Sequence, residues 1–124
     1  MTNGFDYDVE VCTIYNINNE TIERVDIFYP GMTFAVAAMG NIEYNNIISI
    51  IIKNTDGLIL AEYSLEYLTQ LRKTYKNKNK RESWIFTEKG LFLKTINIER
   101  RFNFDSEKIL EYYRSDEAVN ERGN

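Results

Sequence analysis

Residues 42–53 restrict the fold more than any other stretch of the chain. Isoleucine stands at positions 42, 47, 48, 50, 51 and 52. The segment opens with alternation at Ile42 and Tyr44, then turns apolar on both faces from Ile47. Such a run fits a central strand covered on both sides. Asn54-Thr55-Asp56-Gly57 follows and supplies the Asp-Gly pair favoured in tight hairpins, sending the chain back along Leu58–Tyr63. The sheet therefore has at least one interior strand. Neither this run nor Met32–Met39 approaches the ~20 apolar residues that span a bilayer.

The segments on either side extend the sheet. In 5–15, Phe5, Tyr7, Val9, Val11, Thr13 and Tyr15 alternate with Asp6, Asp8 and Glu10, the period of a half-buried strand. Asn16-Ile17-Asn18-Asn19 is turn chemistry, because Asn tolerates a left-handed backbone. A second strand over about 21–29 runs into Pro30-Gly31. Met32–Met39 reads as a short buried strand or a helical turn capped by Gly40, with the strand preferred. Ser64 is placed to cap a helix carrying Leu65, Leu68, Leu71 and Tyr75. Ser83–Thr87 and Leu91–Glu99 predict a hairpin around Glu88-Lys89-Gly90. Asp105 or Ser106 would cap a last helix with Ile109, Leu110, Tyr112 and Tyr113 as its stripe. The expected fold is α+β: a mainly β mixed sheet, or a small barrel, with two short helices. One globular domain would cover 1–114, and the polar residues 115–124 would fray.

Chemistry is limited by what is missing. With no His and one Cys in 124 residues, triads with an imidazole base, His-ligated metals and internal disulfides are excluded. Cys12 has no group to lower its pKa and reads as a buried small hydrophobe. No glycine-rich phosphate loop occurs. An enzyme is therefore not expected, nor any cofactor or metal. The N-terminal residues lack the basic and apolar regions of an export signal, so a cytoplasmic protein is expected.

Charge is the informative feature. The formal net charge of −4 divides into −8 over residues 1–71, +7 over 72–101 and −3 over 102–124. Arg72, Lys73, Lys76, Lys78, Lys80 and Arg81 fall within ten residues, and Lys94, Arg100 and Arg101 follow. Lys and Arg displace counterions from phosphates, and aromatic faces stack single-stranded bases. Trp84 shares a strand face with Phe86, so Trp84 or Tyr75 is the candidate stacking ring. The competing reading is an ordinary solvated helix end with Trp84 and Phe86 in the core.

The acidic residues make a second candidate. A period of two would put Asp6, Asp8 and Glu10 about 6–7 Å apart on one strand face. With Glu23 or Asp26 they have the oxygen chemistry of a divalent-cation site, but charge there more simply discourages edge pairing. The alternative function is a protein-binding module, an immunity or anti-defence protein. Its Asp6, Asp8, Glu10, Glu20, Glu23 and Asp26 would mask a basic partner.

Phe28-Tyr29-Pro30-Gly31 between strands, the basic stretch Arg72–Arg81, the Asn/Ile/Tyr-rich bias and the strands-then-helices order carry a family resemblance. The chain resembles the small PrgU-like proteins of Gram-positive pheromone-responsive plasmids. The resemblance implies a PUA-like fold, a compact β-barrel with short helices, and control of a surface adhesin by binding its transcript. The Asn and Ile bias is also what AT-rich coding gives, as in a low-GC bacterium, plasmid or phage. The leading expectation is thus a non-enzymatic RNA-binding regulator acting through the basic face of residues 72–101.

Overall fold

The computed structural model describes residues 1–33, 47–75 and 83–122, the side chains of 72–75 and 122 aside. The fold is α+β, with one four-stranded and one three-stranded sheet. β1 is Thr2–Asn3, β2 Val9–Ile17, β3 Glu20–Phe28, β4 Ile47–Asn54 and β5 Ile59–Ser64. Helix α1 spans Leu65–Tyr75. Then come β6 (Trp84–Thr87), β7 (Gly90–Leu93), α2 (Ile96–Arg101), α3 (Ser106–Tyr113) and α4 (Asp116–Arg122).

The larger sheet has the order β3-β2-β4-β5, antiparallel throughout. β2 and β3 are joined by Asn18-Asn19, both at positive φ (51° and 66°). That geometry matches the right-handed twist of the flanking strands and suits Asn. β4 and β5 are joined through Asn54, whose Oδ1 accepts from the backbone N–H groups of Asp56 and Leu58. Gly57 takes φ 87° there, a conformation a side chain resists.

One face of this sheet carries Val9, Val11, Thr13 and Tyr15 with Phe28, Ile50 and Ile52, all buried. β4 is interior, between β2 and β5, but it is not sealed on both sides as its sequence implies. Ile48 is exposed and Ile51 half-buried.

The smaller sheet, β1-β6-β7, is sandwiched. Trp84, Phe86, Leu91 and Leu93 join the core beneath the larger sheet, while Ile85 and Phe92 pack on Ile109, Tyr112, Tyr113 and Ala118. β1 runs parallel to β6, with Thr2 opposite Ile85. Gly4 passes so close that a Cβ there would lie 2.5 Å from Thr87 Cγ2 and 2.7 Å from Phe86 O. Asn3, fully buried, donates to the carbonyls of Tyr7 and Phe28 and accepts from Phe5 N–H. These bonds bend residues 5–8, so β2 starts at Val9 rather than at 5.

Several expectations need correction. Both sheets are open among the described residues, so the barrel alternative is not formed. The strand expected to reach Glu99 ends at Leu93. Thr95 then caps α2, its hydroxyl accepting from Ile98 N–H at 3.4 Å. Residues 116–122, expected to fray, form α4, with Ala118 buried against α3. Among the described residues, four helices stand where two were expected. Ser64 and Asp105 do cap α1 and α3 through Tyr67 N–H and the N–H groups of Glu107 and Lys108. The Met32–Met39 reading falls, beyond Thr33, outside the described residues.

Candidate nucleic-acid cleft and open sheet face

The basic residues separate into distinct environments. Arg72 and Lys73 lie in the second half of α1, and Lys76, Lys78, Lys80 and Arg81 lie outside the described residues. Trp84 is 1 % exposed and belongs to the core. A ring enclosed by the core cannot receive an incoming base, so Trp84 is removed from the candidate site.

Arg101 is occupied within the fold. Its guanidinium meets Glu117 at 2.6 Å and Glu121 at 3.4 Å, and lies 5.1 Å from the centroid of Phe102 and 5.4 Å from that of Tyr112. The hydrogen bond that it donates to Glu117 raises its pKa further. Tyr112 donates to Glu121, and burial first, then that bond, pushes the phenol well above its ordinary range. Lys89 pairs with Asp116 at 2.8 Å; the shared hydrogen bond raises the lysine and lowers the carboxyl. Part of the positive segment therefore docks on the acidic C-terminal helix of the same chain.

Lys94 and Arg100 make no ion pair among the described residues. Arg100 is exposed on α2, and half-buried Lys94 follows β7, its N–H bonded to Ser83 O. Just after Arg101 the chain leaves α2 by an unusual route. Asn103 N–H donates to Arg100 O and Phe104 N–H to Glu99 O, the paired bonds of a Schellman ending. Both residues take positive φ, 54° for Asn103 and 58° for Phe104. Asn accepts that conformation; an aromatic residue pays on the order of 1 kcal/mol or more. Phe104 is nevertheless 58 % exposed. Its ring lines a cleft of about 250 Å³ with Thr2, Thr33, Lys94, Glu99 and Ser106.

The cleft thus offers an aromatic ring, the Lys94 cation, the Glu99 carboxylate and three hydroxyls, of which those of Thr2 and Thr33 bond each other at 2.8 Å. The sequence reading missed Phe104; the available signal was an aromatic set between Asn103 and Asp105, in a turn with no core to enter.

The acidic residues do not form the expected ladder. Asp6 precedes β2 and pairs with Arg114 at 2.7 Å, while Arg114 also donates to the carbonyls of Gly4 and Phe5. Asp26 faces the core side of β3 and pairs with Arg24 at 2.9 Å. Only Glu10 and Glu23 of the set share the outer face of the larger sheet. No group of acidic or thiol side chains able to hold a metal ion occurs among the described residues.

That outer face is amphiphilic. Glu10 and Glu23, with Lys53 and Glu62, surround Val25, Ile27 and Ile59, each more than half exposed. Cys12 sits amid them but is buried, and burial raises its thiol pKa. Two further clefts, of about 380 and 390 Å³, line up Phe5, Tyr63 and Lys89, and Arg101, Lys108 and Glu111.

Comparison with protein-family models, with curated proteins and with solved structures returns no match. No helix among the described residues is long and apolar enough to cross a membrane.

Proposed function

We propose that this chain is a non-enzymatic RNA-binding regulator of the cytoplasm, and that its binding cleft centres on Phe104. The supporting observation is an aromatic ring held exposed, against its backbone preference, beside Lys94. In this reading Phe104 stacks one unpaired base and Thr2, Thr33 or Ser106 bonds its edge. Lys94 and Arg100 meet phosphates, and Arg72, Lys73, Lys76, Lys78, Lys80 and Arg81 lengthen the track. A cleft smaller than the ~300–1,000 Å³ of drug-sized sites suits a single planar ring. Base stacking contributes about 1–3 kcal/mol per base.

The test is fluorescence anisotropy with a single-stranded oligoribonucleotide. Affinity should fall steeply with added salt. Phe104→Gly should weaken binding by roughly tenfold or more while making the fold more stable by about 1 kcal/mol, because glycine takes φ 58° without strain. Retained affinity in that more stable variant would reject the proposal.

The outer sheet face supports a second reading, a module that masks a basic protein. Its favouring observation is the set Val25, Ile27 and Ile59 exposed among Glu10, Glu23 and Glu62. Reversing Glu10 and Glu23 to Lys should slow association with a basic nuclease probe and leave RNA affinity unchanged. An unchanged association rate rejects it.

A further inference from the structure

β3 is an edge strand of nine residues, and among the described residues nothing pairs with its outer side. Its hydrogen-bonding parity follows from the two-residue turn. Ile17 and Glu20 close that turn as a bonded pair, and bonded pairs then alternate along the ladder. The backbone groups of Ile22, Arg24, Asp26 and Phe28 therefore point at β2. Those of Thr21, Glu23, Val25 and Ile27 point outward.

Side-chain charge on this edge is arranged in a way that self-pairing would use. Arg24 and Asp26 lie on the core-side face, already paired with each other at 2.9 Å, and the edge of the sheet leaves both about one-quarter exposed (26 % and 27 %), so a second copy would extend this pair into a ring of four alternating charges. An antiparallel partner related by a two-fold axis opposes residues whose numbers sum to a constant. With the axis at Val25, Arg24 faces Asp26 of the second copy, and Asp26 faces its Arg24. These fall in non-hydrogen-bonded pairs, the class whose side chains approach more closely. Val25 meets itself, and Glu23 meets Ile27, in the bonded pairs.

Other registers fail. Axes at Glu23, Arg24 or Asp26 set like charges opposite each other. An axis at Ile22 runs into the Asn18-Asn19 turn, and one at Ile27 runs into Pro30. Charge on an edge strand commonly blocks pairing; with the axis at Val25 the charges set opposite each other, Arg24 and Asp26, are of unlike sign.

We propose that two copies of this chain pair through β3, antiparallel and centred on Val25, making one continuous eight-stranded sheet. Main-chain bonds at Val25, Glu23 and Ile27 hold the strands, and four alternating charges fix the register. The pairing uses neither the Phe104 cleft nor the partner of the outer face, so it stands apart from both readings of function.

Sedimentation velocity of the full chain, over a concentration series to hundreds of micromolar, tests it. Wild type should show a concentration-dependent dimer. Arg24→Asp alone and Asp26→Arg alone should each weaken self-association by about tenfold or more, since each puts like charges across the axis. An equimolar mixture of the two variants should form a heterodimer, because every opposed pair is then complementary. The double swap, Arg24→Asp with Asp26→Arg, should restore the homodimer. Val25→Pro should abolish pairing while keeping the monomer folded by circular dichroism, since the N–H it removes faces the open edge. A wild type that stays monomeric throughout, or a mixture that associates no better than its components, would overturn the proposal.

Discussion

The two sheets share a core and differ in what covers them. β6 and β7 are buried on both faces, between the larger sheet on one side and α3 with α4 on the other. The larger sheet is covered on one face except along β3, and leaves Val25, Ile27 and Ile59 more than half exposed on the other. A doubly covered sheet can be only structural. A singly covered one keeps a face and an edge with which to meet another molecule. Trp84, the ring the sequence offered for stacking, sits in the first kind of sheet, and that position decides its role.

Substitutions should separate the two sheets clearly. Phe92→Ala removes a fully enclosed ring and should cost about 3–5 kcal/mol in urea unfolding, whereas Ile27→Ala on the open face should stay within about 1 kcal/mol. A comparable loss at Ile27 would mean that the open face is covered after all. Next in size is a pH effect on the small sheet. Burial, then Lys94, holds the Met1 α-amine down to about 6 from an ordinary value of 8.0. The folded chain thus keeps the amine neutral where the unfolded chain protonates it. Stability present above pH 8 should fall by on the order of 2–3 kcal/mol as pH drops to 6. With no His to titrate in that window, acetylating the amine should flatten the slope; a slope that survives acetylation has another source.

Gly4→Ala is expected to cost about 1–3 kcal/mol, because its methyl meets the backbone oxygen of Phe86. The smallest effect belongs to Arg101→Met, which unties α4 from α2. Amide exchange in 116–122 should quicken, with little change in global stability.

Local chemistry was legible in the sequence and distant pairing was not. Asn18-Asn19, Asn54–Gly57, Ser64 and Asp105 each act on backbone groups within four residues, so their roles could be read directly. β1 has two residues and no pattern of its own; it is a strand because β6 on one side and residues 31–33 on the other bond its backbone. α2 was masked because Ile96 and Ile98 alternate as they would in a strand, and its decisive bonds come from the Thr95 cap and the Schellman ending. α4 looked like a polar tail because its anchors, Lys89 and Arg101, lie far back along the chain. Charge segregation was correctly noticed, but sequence does not reveal which cations are answered internally. Phe104 escaped notice because an aromatic between Asn103 and Asp105 reads the same in sequence whether it is buried or exposed; its positive backbone angle and its exposure appear only in the fold.

The parallel pairing of Thr2 with Ile85 also sets an order of events. Hairpin β2-β3 can close as soon as its turn leaves the ribosome, whereas β1 must wait for a partner made some 80 residues later. Until β6 arrives, Met1, Phe5 and the inner face of the larger sheet stay uncovered. The slowest and most aggregation-prone interval in the life of this chain should therefore come during its synthesis, and close when Trp84–Leu93 emerges.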